Sequence, residues 1–135
     1  MATGSDISGV NHITLVVADL DRALGFYRDM LGLRLRAYGP SFAYLEGGAL
    51  WLCLELGQAR PAQDDSHIAL SVTEAGFAHL GERLKGVPLW KDNRSEGASL
   101  YLRDPDGHKL ELHVGTLASR IDHCRANDPT IQIFD

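Results

Sequence analysis

Apolar and polar residues alternate over residues 11–17, N-H-I-T-L-V-V, and again over residues 66–72, S-H-I-A-L-S-V. Alternation with period two is the pattern of a strand with one face toward a core. A helix signal follows each copy. After the first, Asp19 is the expected N-cap of a helix running to about Leu31, before Gly32. After the second, Thr73 is the expected cap, Phe77, Leu80 and Leu84 form an apolar stripe, and Gly86 closes the helix. Strand-like runs come next, at 33–37, 42–46 and 49–56 in the first half and at 87–91, 99–103 and 109–114 in the second. Asp104-Pro105-Asp106-Gly107 reads as a tight turn, with Pro presetting one torsion and Gly tolerating the exit.

Each half therefore reads β-α-β-β-β, an α+β chain built from a repeat. The expected modules are about 9–57 and 66–115, joined by a linker at 57–65 and followed by a C-terminal helix and tail, 116–135. At 135 residues the chain suits a single domain. Modules of some fifty residues are marginal alone, so the two are expected to pair into one sheet.

Alternation also assigns faces. His12 and Thr14 oppose Ile13, Leu15 and Val17, whereas His67 and Ser71 oppose Ile68, Leu70 and Val72. Glu111 and His113 oppose Leu110, Leu112 and Val114; Ser99, Tyr101 and Arg103 oppose Leu100 and Leu102; Trp51, Cys53 and Glu55 oppose the leucines of 49–56. Leucine faces would pack under the helices, and the opposite faces would line a partly polar concavity. Two imidazoles and one carboxylate on it, from His12, His67 and Glu111, suit a divalent metal with open positions rather than a closed structural site. His113 shares the Glu111 face and is the rival ligand, while His79, His108 and His123 lie on helices or in the turn. Arg120 falls in the first turns of a helix opening at Thr116, where the helix dipole opposes a cation, so a role in clamping an oxyanion is expected. Asn93, Ser95, Glu96, Gly97 and Ser99 form an oxygen-rich loop.

A net charge of −5 without a basic stripe argues against nucleic acid. The start, M-A-T-G-S-D-I-S, has no cationic opening or apolar core, and no run reaches a membrane span's length, so neither leader nor membrane is expected. Cys53 and Cys124 form no spacing motif; Cys53 reads as a buried small hydrophobe, and a reducing cytoplasm is the expected compartment.

From about Gly9 to Asp135 the chain resembles the fosfomycin-resistance glutathione transferases of the vicinal oxygen chelate superfamily. The resemblance rests on N-H-I-T-L-V-V-A-D-L, A-Y-L-E-G-G-A-L-W-L-C-L, W-K-D-N-R-S-E-G-A-S-L-Y and D-P-D-G-H-K-L-E-L-H-V-G. It implies the vicinal oxygen chelate (glyoxalase/bleomycin-resistance) fold in a module-exchanged homodimer, with His12 facing His67 and Glu111 of the opposite chain. It implies Mn(II) on those three residues and K+ in the loop of Asn93, Ser95, Glu96, Gly97 and Ser99. Thr14, Lys91, Ser95, Tyr101 and Arg120 match residues around the substrate phosphonate and epoxide. Trp51 matches an aromatic wall and Tyr44 a tyrosine on the thiol side. The implied reaction is attack of glutathione on the epoxide of fosfomycin. Residues 36–44 hold no carboxylate, which argues against the related epoxide hydrolases, and W-K-x-N-R-S-E-G favours glutathione over bacillithiol. Asp65-Ser66 stands where the family has Tyr-Thr, and the added carboxylate is expected to lower turnover on an anionic substrate. The alternatives are another superfamily metalloenzyme, such as a glyoxalase or dioxygenase, and a metal-free antibiotic-binding protein.

Overall fold

The computed structural model describes residues 4–92 and 97–134. By contacts the chain divides into two compact units, Met1–Arg60 and Pro61–Asp135. The first holds β1 (Ile13–Val17), α1 (Leu20–Leu24), β2 (Arg34–Tyr38), β3 (Phe42–Gly47) and β4 (Leu50–Leu56). The second holds β5 (Ile68–Ser71), α2 (Glu74–Arg83), β6 (Leu89–Lys91), β7 (Ala98–Arg103), β8 (Lys109–Val114) and α3 (Leu117–Asn127).

The strands form two four-stranded sheets of the same order, β1-β4-β3-β2 and β5-β8-β7-β6. In each, the first pair is parallel and the others antiparallel. This corrects the expectation of one shared sheet. The strand pairing in each module lies among its own four strands.

The local signals act as their chemistry requires. The Asp19 carboxylate accepts from Arg22 N at 3.0 Å, and the Thr73 hydroxyl accepts from Gly76 N at 3.0 Å. Asp104 O accepts from Gly107 N at 2.9 Å, closing the turn between β7 and β8, and Gly107 has φ +91. Three expectations shift. The helix after Asp19 is α-helical only to Leu24 and continues as a π-helical turn, Gly25–Met30, in which Leu31 N reaches Phe26 O at 2.9 Å. That wider turn accompanies burial of two consecutive aromatics, Phe26 and Tyr27. The strand expected from residue 87 starts at Leu89, because Val87 N is spent on Leu84 O and Pro88 has no N–H. Cys53 is only half-buried, since it faces away from the core that holds Leu52 and Leu54.

Unit 1 buries Val17, Leu20, Leu24, Ala43, Leu45, Leu52 and Leu54; unit 2 buries Leu84, Leu102, Leu110 and Leu112. The leucine faces thus lie inward, and the opposite faces are left for the candidate site.

Candidate metal centre

Register builds the site row by row. Across unit 2, Lys91 pairs with Tyr101, Tyr101 with Glu111, and Glu111 with Ala69. The next row pairs Ser99 with His113 and His113 with Ser71. One face of this sheet therefore carries Lys91, Tyr101, Glu111, Ser99 and His113. His67 joins it as the residue before β5, one position earlier than expected of a strand residue.

His67 Nε2 lies 2.9 Å from Glu111 Oε1, and His67 Nδ1 lies 2.7 Å from the Asp65 carbonyl. A carbonyl can only accept, so Nδ1 carries the proton and Nε2 of the neutral ring presents a lone pair to the carboxylate. Two lone pairs at that distance call for a cation, either a second proton on the ring or a metal ion. A ligand histidine with its other nitrogen tied to a backbone carbonyl is the usual arrangement around a bound metal. The donor set fits a divalent ion such as Mn(II), which accepts both imidazole and carboxylate.

Glu111 is only 7% exposed. Burial, the largest single influence, works to raise its carboxyl pKa. The Ser99 hydroxyl, together with a proton or other positive charge at His67 and His113, outweighs burial and holds it below the ordinary value. The carboxylate is thus kept ionised despite its burial.

Aromatic rings brace His67. Its ring centroid is 5.0 Å from that of Trp90 and 5.9 Å from that of Tyr101. Trp90 Nε1 donates to Leu110 O at 3.0 Å, which pins the indole to β8. Lys109, on the Glu111 face, is buried, donates to the Asp64 carbonyl and lies 5.5 Å from the Trp90 ring centre. Sequence reasoning gave neither Trp90 nor Lys109 a role. Counting back two residues from Glu111 was the available signal for Lys109; the reach of Trp90 to β8 had none. Lys91 Nζ stands 5.2 Å from the Tyr101 ring centre. Arg120 is the fourth residue of α3 and half-buried, on a helix opened by reciprocal Thr116 and Ser119 capping bonds.

In unit 1 the matching row joins Tyr44, Cys53 and Thr14. His12 stacks on Trp51 with centroids 4.4 Å apart, and Trp51 meets Tyr44 at 5.6 Å. His12 Nδ1 lies 2.7 Å from Asn11 Oδ1, so this ring too has Nε2 left over. Trp51 and Tyr44 are exposed on this face. Among the described residues of one chain, no three His, Cys, Asp or Glu side chains gather as a metal-holding group. Of the oxygen-rich loop, Asn93, Ser95 and Glu96 lie outside the described residues, as does Arg94. Gly97 is exposed, and Ser99 is buried with its hydroxyl on Glu111. Among the described residues, no helix is long and apolar enough to cross a membrane.

Two βαβββ modules with the same strand order define a protein of the vicinal oxygen chelate class. The chain belongs to the Glyoxalase/Bleomycin resistance protein/Dioxygenase superfamily, whose family model matches residues 9–112. It is 48% identical over 135 residues to the glutathione transferase FosA of Serratia marcescens, covering 95% of this chain and 96% of that one. It is 37% identical to a metallothiol transferase FosB of Staphylococcus epidermidis, covering 96% and 98%. Among solved structures it resembles the fosfomycin resistance protein FosX of Listeria monocytogenes in complex with Mn(II) and sulfate. That match has a TM-score of 0.74 and 31% identity, and covers 87% of this chain and 98% of that one.

Proposed function

We propose that this protein is a metal-dependent glutathione transferase that opens the epoxide of fosfomycin and so confers resistance to it, acting as a cytoplasmic homodimer. The observation that carries the reading is the meeting of His67 Nε2 and Glu111 Oε1, with His67 Nδ1 already committed to Asp65. The 48% identity to a glutathione transferase of this kind supports the substrate and the thiol.

In this reading His67, Glu111 and His12 hold Mn(II), with His12 supplied by the partner protomer through module exchange. When bound, the ion supplies Lewis acidity toward an electron-rich oxygen of the substrate. The chain's own residues do the rest. Lys91 and Arg120 offset the phosphonate charge, which would otherwise repel an incoming thiolate. Ser95 and the Thr14 and Tyr101 hydroxyls orient the phosphonate and epoxide. Trp51 walls the pocket, and Tyr44 faces the thiol. The loop of Asn93, Ser95, Glu96, Gly97 and Ser99 holds K+ as a further counter-charge. The glutathione sulfur forms a C–S bond as the epoxide C–O bond breaks, and the freed oxygen takes a proton to become a hydroxyl. No side chain serves as the nucleophile.

The test is an NMR assay of fosfomycin with glutathione, Mn(II) and K+. A sulfur-linked adduct is expected. Unchanged fosfomycin at full enzyme loading would overturn the reading, and a diol without sulfur would assign the chain to hydrolysis.

A further inference from the structure

Glu111 has two carboxylate oxygens, and the fold treats them differently. Oε1 faces His67 Nε2 at 2.9 Å. Oε2 lies 2.7 Å from Ser99 Oγ and 3.3 Å from His113 Nδ1. Ser99 Oγ is itself 2.7 Å from His113 Nδ1. An ionised carboxylate only accepts, so the single Ser99 proton goes to Oε2. The Ser99 oxygen must then accept from His113 Nδ1–H. The direction of the chain is thereby set: the His113 N–H donates to Ser99, and the Ser99 hydroxyl donates to Glu111.

The outer end of the chain sits in space left by two glycines. A Cβ at Gly97, which has φ +82, would stand 3.1 Å from His113 Cε1 and 2.5 Å from the Val114 carbonyl. A Cβ at Gly115 would stand 2.7 Å from His113 Nε2. A side chain at either place would crowd the ring, so the two glycines give it room to reach Ser99. Ser99 and Glu111 are 6% and 7% exposed, so water offers little competition for these bonds.

We propose that Ser99 and His113 are positioning residues that hold Oε2 of Glu111, leaving Oε1 as the single oxygen presented on the His67 side. His113 is then not a metal ligand through Nδ1 but the outer support of one, and Ser99 acts on the carboxylate through its hydroxyl, whatever its main chain does in the loop. The proposal rests on the reading of Glu111 as a metal ligand.

The experiment measures Mn(II) affinity of the full-length protein from the EPR signal of the free ion, without K+, beside metal-free thermal melts. Ser99→Ala is expected to weaken Mn(II) binding about 10- to 100-fold, the range for loss of a partner behind a metal ligand. Ser99→Thr keeps the hydroxyl and is expected to bind as wild type. His113→Leu is expected to weaken binding as Ser99→Ala does. His113→Asn, which retains a donor at the Nδ1 position, is expected to restore it. Ser99→Ala combined with His113→Leu is expected to cost little more than either alone, because both act through one oxygen. Wild-type affinity in Ser99→Ala, with only K+ activation altered, would overturn the proposal. So would complete loss of metal in His113→Asn with full binding in Ser99→Ala, the pattern of a direct ligand. If Ser99→Ala does not fold, the His113 pair decides by the same criteria. Glu111→Ala separates the two claims: wild-type Mn(II) affinity there sinks the metal reading itself, independently of Ser99.

Discussion

The chemistry at the residue scale turns on which nitrogen of each histidine is left over. Asp65 O takes His67 Nδ1 and Asn11 Oδ1 takes His12 Nδ1, so both rings keep Nε2. Asp65 thus meets His67 through its backbone carbonyl, which any residue would supply. In the proposed function Lys91 serves the substrate: it is exposed, its Nζ lies 5.2 Å from the Tyr101 ring centre, and β7 lies between it and Glu111. Lys91→Ala should therefore leave Mn(II) bound while raising the fosfomycin KM at least 10-fold, on the order of one charge-assisted contact. Glu111→Ala should instead remove metal and activity together. Metal titration beside steady-state kinetics separates the two, and equal loss of metal in both variants would refute the division of roles.

Among the elements, α3 owes its start to two side chains. Thr116 Oγ1 accepts from Ser119 N at 3.0 Å, and Ser119 Oγ accepts from Thr116 N at 2.9 Å. This box sets the first turn from which Arg120 projects, and it offsets part of the cost of a cation near the helix start. Thr116→Ala should cost about 1 kcal/mol of stability, and Thr116→Asp should recover most of it. Urea melts test this, and an unchanged midpoint in Thr116→Ala would show that the cap carries no stability. The caps at Asp19 and Thr73, and the helix start at Thr116, were legible in sequence because capping is local chemistry, complete within four residues. The π-helical turn was not. It follows from packing Phe26 and Tyr27 into one core, which a local pattern does not express.

At the scale of the whole molecule, the repeat makes an asymmetric pair. The row Lys91–Tyr101–Glu111–Ala69 corresponds to Ala37–Tyr44–Cys53–Thr14, so Cys53 occupies in unit 1 the place of Glu111 in unit 2. In the proposed metal site His12 comes from unit 1, and His67 and Glu111 come from unit 2. If exchange joins them across a dimer, His12→Ala and Glu111→Ala should complement each other. A mixed dimer would contain one site with both changes and one with neither. Refolding the two inactive variants together should therefore restore about a quarter of wild-type activity by random assortment. No recovery, with mixed dimers present by native mass spectrometry, would place His12 and Glu111 in the same chain.

The sequence by itself determined the repeat, the caps, the Asp104–Gly107 turn and the face on which each strand residue lies, because alternation and capping depend on neighbours within a few positions. From that alternation and the repeat it pointed to His12, His67 and Glu111, with His113 as the rival ligand. Only the tertiary structure decided that Oε1 rather than Oε2 meets His67, that His113 is spent on Ser99, and that Trp90 and Lys109 brace the site. Those choices depend on strand register and on ångström distances between residues as many as 45 positions apart, which no periodicity in the chain encodes.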